Sequence, residues 1–352
     1  MAVVRLLTLL VVGAVLACPG VAAARAPQPL VKVDPLTTSF ADRVVSSSPV
    51  RAHAASASRA YATPDGTSIA VSFSNTYTPS PDVAQTYVNY LASLPHGSEL
   101  AKLKLLLAPP TEVERDCGGV DGVLACYDSQ THEMVVPGEQ IENQSGVSTS
   151  YVIAHEYGHH IAAFRDNPPF PTLDAGPKYW ASYEKVCDRT LAGRLAPGNE
   201  GQYYLLNPGE SWAETYARLT YPNEPWRFTS LLKPDAGALD AARRDVLDPW
   251  VAPTTKTWKA TFSAGGSNAR RFRFPLTLDG ALKVQLRGPS RARYDLAVSS
   301  LGKTRGRTKG NAARDSLSWQ AACRQQRTEG VTVTVSRRSG AGPFRLAVTY
   351  AG

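Results

Sequence analysis

Tyr151-Val152-Ile153-Ala154-His155-Glu156-Tyr157-Gly158-His159-His160-Ile161-Ala162-Ala163-Phe164 combines an apolar run with three of the chain's 6 histidines. Upstream, Gly146-Val147-Ser148-Thr149-Ser150 offers Ser and Thr hydroxyls that cap helices. Downstream, Asp166-Asn167-Pro168-Pro169 stops one, because proline lacks the N–H that a helix needs. A helix over about 151–164 follows. On it His155 and His159 lie four residues apart, so both imidazoles occupy one face a turn apart and can meet a single metal ion. Glu156 points roughly 100° away around the helix, free to take a proton from a water that the metal activates. Gly158 removes side-chain bulk beside the ligands. The whole reads as His-Glu-x-x-His, a zinc pattern. His160 faces away from the pair and is expected to pack rather than to bind metal.

Two histidines leave a catalytic zinc short of a third protein ligand and one open position. Asp174, Glu184, Asp188, Glu210 and Glu214 are the downstream candidates. Asn207-Pro208-Gly209-Glu210-Ser211-Trp212-Ala213-Glu214 stands out among them. Proline in a first turn starts a helix, and Glu210 and Glu214 then share one face. Glu210 is expected on the metal, and Glu214 on the far nitrogen of a ligand histidine. Two solvated acids near a helix start are the alternative.

His155-Glu156-Tyr157-Gly158-His159 together with Glu210-Ser211-Trp212-Ala213-Glu214 resembles the gluzincin metallopeptidases, in particular the branch containing anthrax lethal factor and the Pro-Pro endopeptidases. The resemblance covers mainly residues 100–220. It implies a zincin-like unit with a mixed sheet and an active-site helix, zinc on His155, His159 and Glu210, and Glu156 as general base. It also implies a tyrosine seven residues ahead of the glutamate ligand, donating to the oxyanion: Tyr203, with Tyr204 in the neighbouring register. Gluzincin folds place an edge strand beside the zinc helix for strand addition by substrate, and His132-Glu133-Met134-Val135-Val136 fits that role. The reaction expected is hydrolysis of peptide bonds by an endopeptidase.

The rest of the chain sets the context. Its 352 residues are 43% hydrophobic and 19% charged, a core-forming composition long enough for about two domains. Residues 1–24 read as an export signal: Arg5, an apolar run from Leu6 to Ala17, then Ala22-Ala23-Ala24. That run is too short to span a bilayer, and no later segment is suited to it. A secreted protein is expected, with a lipoprotein anchored at Cys18 as the alternative. Residues 25–58, rich in Ala, Ser, Val and Pro, read as a flexible leader or a propeptide. Removing the signal leaves Cys117, Cys126, Cys187 and Cys323. The first two flank a glycine-rich turn and can close a local loop, which leaves Cys187 for Cys323. There is no CxxC pair for a cysteine zinc site, and no calcium loop.

Short elements are expected elsewhere in residues 59–252: a hairpin at Ala60–Ala62 and Ser68–Phe73, helices near 81–94, 208–219 and 236–247, and strands near 103–108 and 132–136. A linker at Pro253-Thr254-Thr255 follows. Residues 258–352 then alternate in polarity at 272–274, 282–286, 294–298, 331–335 and 344–350, the rhythm of a small β-sandwich. The fold class is α+β with an all-β module behind it. Leu286-Arg287-Gly288-Pro289, Tyr294-Asp295-Leu296 and Gly340-Ala341-Gly342-Pro343-Phe344-Arg345-Leu346 resemble the pre-peptidase C-terminal domains of secreted bacterial peptidases. This module departs from them in charge: residues 255–352 hold 19 Lys+Arg and 4 Asp+Glu, a balance of +15 against −7 for the remainder. An anionic partner such as a cell-envelope polymer is expected. Nucleic acid is disfavoured, because the run Lys303, Arg305, Arg307, Lys309 has no interleaved aromatics. Two readings of other kinds stand beside the peptidase: a degenerate zincin acting as an envelope-binding protein, and a zinc amidase acting on peptidoglycan cross-links. The intact Glu156 speaks against the first.

Overall fold

Strand and helix signals segregate along the chain into a mixed unit and an all-β unit, and the fold follows that division. The computed structural model describes residues 41–44 and 55–352, apart from 120–121, 139–147, 166–176, 200 and 311. The export signal, Cys18 and Asp174 therefore lie outside the described residues, as does most of the leader.

The first unit is built on one six-stranded sheet: β1 (Ala41–Val44), β2 (Arg59–Ala62), β3 (Ser68–Phe73), β4 (Lys104–Ala108), β5 (Val123–Asp128) and β6 (Glu133–Pro137), in the order β1-β5-β6-β4-β3-β2. The pairs β1–β5, β6–β4 and β4–β3 are parallel, and β5–β6 and β3–β2 are antiparallel. The expected hairpin is thus present, closed around Gly66 at φ +87°, where a Cβ would be strained. Its β3 buries alternate residues, as a strand with one covered face does.

The expected edge strand is corrected by the pairing. β6 is interior, with Met134 and Val135 held between β4 on one side and β5 on the other. The physical reason is β5, which carries Cys126 at the end of the cysteine loop and pairs antiparallel with β6. All six of its residues are buried, so it lacks the alternation that marks a strand in sequence. β1, inside the segment read as an unstructured leader, pairs with the outer side of β5.

Seven α-helices occur among the described residues: α1 (Pro81–Ser93), α2 (Pro110–Asp116), α3 (Thr149–Ala163), α4 (Lys178–Tyr183), α5 (Val186–Leu191), α6 (Pro208–Ala217) and α7 (Ala236–Leu247). Helix α3 is buried at every position from Thr149 to Ile161. Burial on all sides places it inside the core, so its polar side chains must be satisfied there. Ser148 caps it, its hydroxyl accepting from the Tyr151 N–H at 3.2 Å.

The second unit is a pair of four-stranded sheets: β11-β10-β13-β8 and β12-β9-β14-β7. Their strands are β7 (Thr254–Phe262), β8 (Ala269–Leu276), β9 (Gly280–Arg287), β10 (Arg293–Ser300), β11 (Lys303–Arg307), β12 (Arg314–Ala322), β13 (Glu329–Ser339) and β14 (Gly342–Tyr350). Both sheets contribute to one apolar core that includes Val284, Leu286, Leu296, Val333 and Leu346. The expected linker at 253–255 shortens, because β7 already starts at Thr254. The basic run Lys303–Arg307 forms β11, an edge strand of its sheet. Both cysteine pairs are formed, with Cα–Cα separations of 5.7 Å for Cys117–Cys126 and 5.4 Å for Cys187–Cys323. The second ties α5 to the all-β unit. Beside it Arg324 Nε donates to buried Asp279 at 3.0 Å, and the Asp279 N–H donates to Ser182 Oγ of α4 at 3.0 Å.

Candidate metal centre

Helices α3 and α6 cross at Gly158. A Cβ there would lie 2.8 Å from Ala213 Cα and 3.2 Å from Ala213 O, so only glycine permits this approach. The Trp212 indole N–H donates to Gly158 O at 2.8 Å and locks the contact. Helix α6 starts as the sequence indicates, with Pro208 in its first turn and the Asn207 side chain accepting from the Gly209 N–H at 3.0 Å.

The crossing brings the side chains together. Glu210 Oε2 lies 3.4 Å from His155 Nε2 and 3.4 Å from His159 Nε2. The ligand atoms of the three residues all lie within 4.8 Å of one another, and all three residues are buried. Among the described residues this is the one His/Cys/Asp/Glu group of such closeness. Glu214, one turn beyond Glu210, has Oε2 3.3 Å from His155 Nδ1. That contact makes Nδ1 the donor nitrogen and turns the lone pair of Nε2 toward Glu210. Glu210 Oε1 is buried without a hydrogen-bond partner among the described residues. Two imidazole nitrogens and a carboxylate converging on one point, with a buried oxygen left over, form a donor set suited to a divalent ion such as zinc. Burying an acidic side chain this deeply is costly unless a cation compensates it.

The other residues fall out as follows. Glu156 is fully buried on α3, next to His155. His160 is fully buried and no ligand: its Nε2 lies 2.9 Å from Glu99 O and its Nδ1 3.1 Å from the Tyr127 hydroxyl. Burial pushes its imidazole down to about 4, so it is uncharged. The alternative ligands Glu184 and Asp188 are engaged elsewhere, with Arg189 at 3.1 Å and Arg194 at 3.6 Å. Tyr203 opens a 3-10 turn and is 50% exposed. Tyr204, in the neighbouring register, has its hydroxyl buried without a partner among the described residues. Its ring packs on Phe228 at 5.5 Å, and Phe228 stacks on His155 at 6.0 Å.

Two residues near the centre were missed in the sequence. Phe228 covers His155, and Arg227 Nη1 lies 3.5 Å from Glu214 Oε1 while Nη2 lies 3.2 Å from Glu224. Both sit in a segment of turns, where spacing carries no signal about which side chain faces inward.

No family model matches the chain, and no curated protein matches it. Similar solved structures cover little of it. The pre-peptidase C-terminal domain of a collagenase from Bacillus anthracis is 11% identical, with a TM-score of 0.22 over 27% of this chain and 88% of that one. The Yersinia pseudotuberculosis-derived mitogen is 16% identical, with a TM-score of 0.21 over 28% and 86%. PliG of Aeromonas hydrophila, a periplasmic inhibitor of g-type lysozyme, is 12% identical, with a TM-score of 0.18 over 28% and 84%. Likenesses this slight carry no argument about function.

Proposed function

We propose that the protein is an exported zinc-dependent endopeptidase of gluzincin type. The observation that carries this reading is Glu210 Oε2 at 3.4 Å from both His155 Nε2 and His159 Nε2, with Glu156 on the same helix as the histidines. Zinc bound there supplies Lewis acidity to the scissile carbonyl and lowers the pKa of a water. Glu156 takes the proton of the attacking water on its carboxylate and passes it to the departing amine nitrogen. Glu214 holds the His155 ring in orientation. A tyrosine hydroxyl from the 203–204 pair donates to the developing oxyanion; the packing of the Tyr204 ring on Phe228, which stacks on His155, supports Tyr204 over the half-exposed Tyr203. Strand addition to β6 plays no part, since both its edges are already paired.

Two disulfides suit an oxidising compartment, and no helix among the described residues is long and apolar enough to cross a membrane. The disulfides agree with export.

The test is metal content and hydrolysis of a mixed peptide library by the mature protein, beside Glu156→Ala and Glu210→Ala. About one zinc per chain is expected, retained in Glu156→Ala with hydrolysis abolished, and lost in Glu210→Ala. A wild-type protein that takes up no zinc removes the reading altogether. Zinc uptake without any peptide hydrolysis turns it toward the envelope-binding alternative.

A further inference from the structure

The exposed face of the sheet β12-β9-β14-β7 carries a row of four cations, one from each strand. The register places Arg314 opposite Arg287, Arg287 opposite Arg345, and Arg345 opposite Lys259. All four side chains are exposed. Neighbouring strands lie about 4.8 Å apart, so the row spans roughly 14 Å in a straight line. Like charges directly opposite one another destabilise a sheet, and none of these four forms a salt bridge among the described residues.

The acids of the module do not relieve them. Asp279 is buried against Arg324 at 3.0 Å, and Asp295 is paired with Arg338. Asp315 accepts from the Thr308 hydroxyl and from the Ser316 N–H at 2.9 Å, and buried Glu329 accepts from the Gln325 N–H at 2.9 Å. The four side-chain carboxylates of the module are thus engaged by other partners.

The two rows alongside differ in chemistry. Ser316, Gln285, Ala347 and Thr257 form the next, and Ser318, Lys283, Thr349 and Thr255 the one after. They present hydroxyls, an amide and one further cation. Trp258, Trp319 and Tyr350 have the opposite parity and pack against the core.

We infer that this face binds a linear polyanion of sugar-phosphate or polyol-phosphate type, laid along the Arg314-Arg287-Arg345-Lys259 row. Guanidinium forks match phosphodiester oxygens. The flanking hydroxyls and amide suit polyol or sugar hydroxyls. Single-stranded nucleic acid is disfavoured, because such chains are held largely by stacking on aromatic rings and these three rows carry none. The inference does not rest on the hydrolytic reading, and hydrolysis is measured separately.

A labelled synthetic poly(glycerol phosphate) oligomer is titrated onto the full chain at several salt concentrations, beside an oligothymidylate of equal charge. Arg287→Ser/Arg345→Ser is compared with Arg271→Ser/Arg273→Ser, which removes two exposed cations from the other sheet of the module. The first pair is expected to weaken binding about 10-fold or more and to flatten the salt slope by roughly 1.4, the share of two lost phosphate contacts. The second is expected to change affinity less than about 2-fold. No binding by the wild type, or equal losses in both pairs, would overturn the proposal in favour of diffuse charge. Equal or tighter binding of the oligothymidylate would overturn its partner class.

Discussion

Gly158 shows how much a single side chain governs here. An added Cβ meets the Ala213 backbone, which cannot rotate aside as a long side chain would. Gly158→Ala is therefore expected to push α6 off α3, costing about 1–3 kcal/mol, typical of overpacking. Because α6 carries Glu210, the same variant is expected to weaken zinc binding about 10-fold or more, read by chelator competition. On the proposed reading Glu214, with Oε2 3.3 Å from His155 Nδ1, acts through His155 and not on the metal. Glu214→Ala is expected to lower zinc affinity about 10–100-fold, again by chelator competition, without abolishing it as Glu210→Ala does. Equal losses in the two variants would remove this division of roles. At this scale the His-Glu-x-x-His spacing could be read directly, because four residues make one helical turn. The exposure of Tyr203 and the burial of the Tyr204 hydroxyl could not, since turn residues follow no period.

Elements are joined around helix α3 by the Arg165–Glu99 ion pair. Arg165, just beyond α3, donates to Glu99 at 3.0 Å, to Asp245 O at 2.6 Å and to Val246 O at 3.0 Å in α7. It thereby ties the end of α3 to the 3-10 turn Ser98–Lys102 and to the last turns of α7. Burial raises the Glu99 carboxyl, but Arg165 and the Gly97 N–H more than offset it, holding the group below its usual value of 4.5. A depressed carboxyl stabilises the fold above its unfolded pKa and loses that contribution as pH falls through the folded value. Glu99→Gln is thus expected to be less stable than wild type by about 3–5 kcal/mol near neutrality. That gap should narrow as pH falls below about 4.5, in denaturant melts at several pH values. A gap independent of pH would point to packing instead. The start of α6 was marked in sequence by Pro208, whereas the capping of α7 by Asp235 emerged with the fold. The strand β5 was not, because a strand buried on both faces has no alternation to read.

For the whole molecule, the decisive link is between its two units. Cys187–Cys323 closes 136 residues of chain, whereas Cys117–Cys126 closes 9. A longer closed loop restrains the unfolded chain more, so Cys187→Ala/Cys323→Ala is expected to cost about 2–5 kcal/mol and more than the other pair. Thermal unfolding of the two double variants side by side checks this order. Asp279 and Arg324, buried next to that disulfide, hold the all-β unit against α4 through Ser182, so the link is polar as well as covalent.

Local spacing and chain composition determined the helix carrying His155 and His159, the later helix carrying Glu210 and Glu214, the division into a mixed and an all-β unit, and the basic balance of the second. These are properties of neighbours in sequence, where helical and strand periods act. Only tertiary structure decided that β6 lies inside its sheet, that Tyr204 and not Tyr203 turns its hydroxyl inward, and that Arg314, Arg287, Arg345 and Lys259 stand in one row. Each of these depends on the register between segments far apart in the chain, which packing fixes and no local pattern encodes.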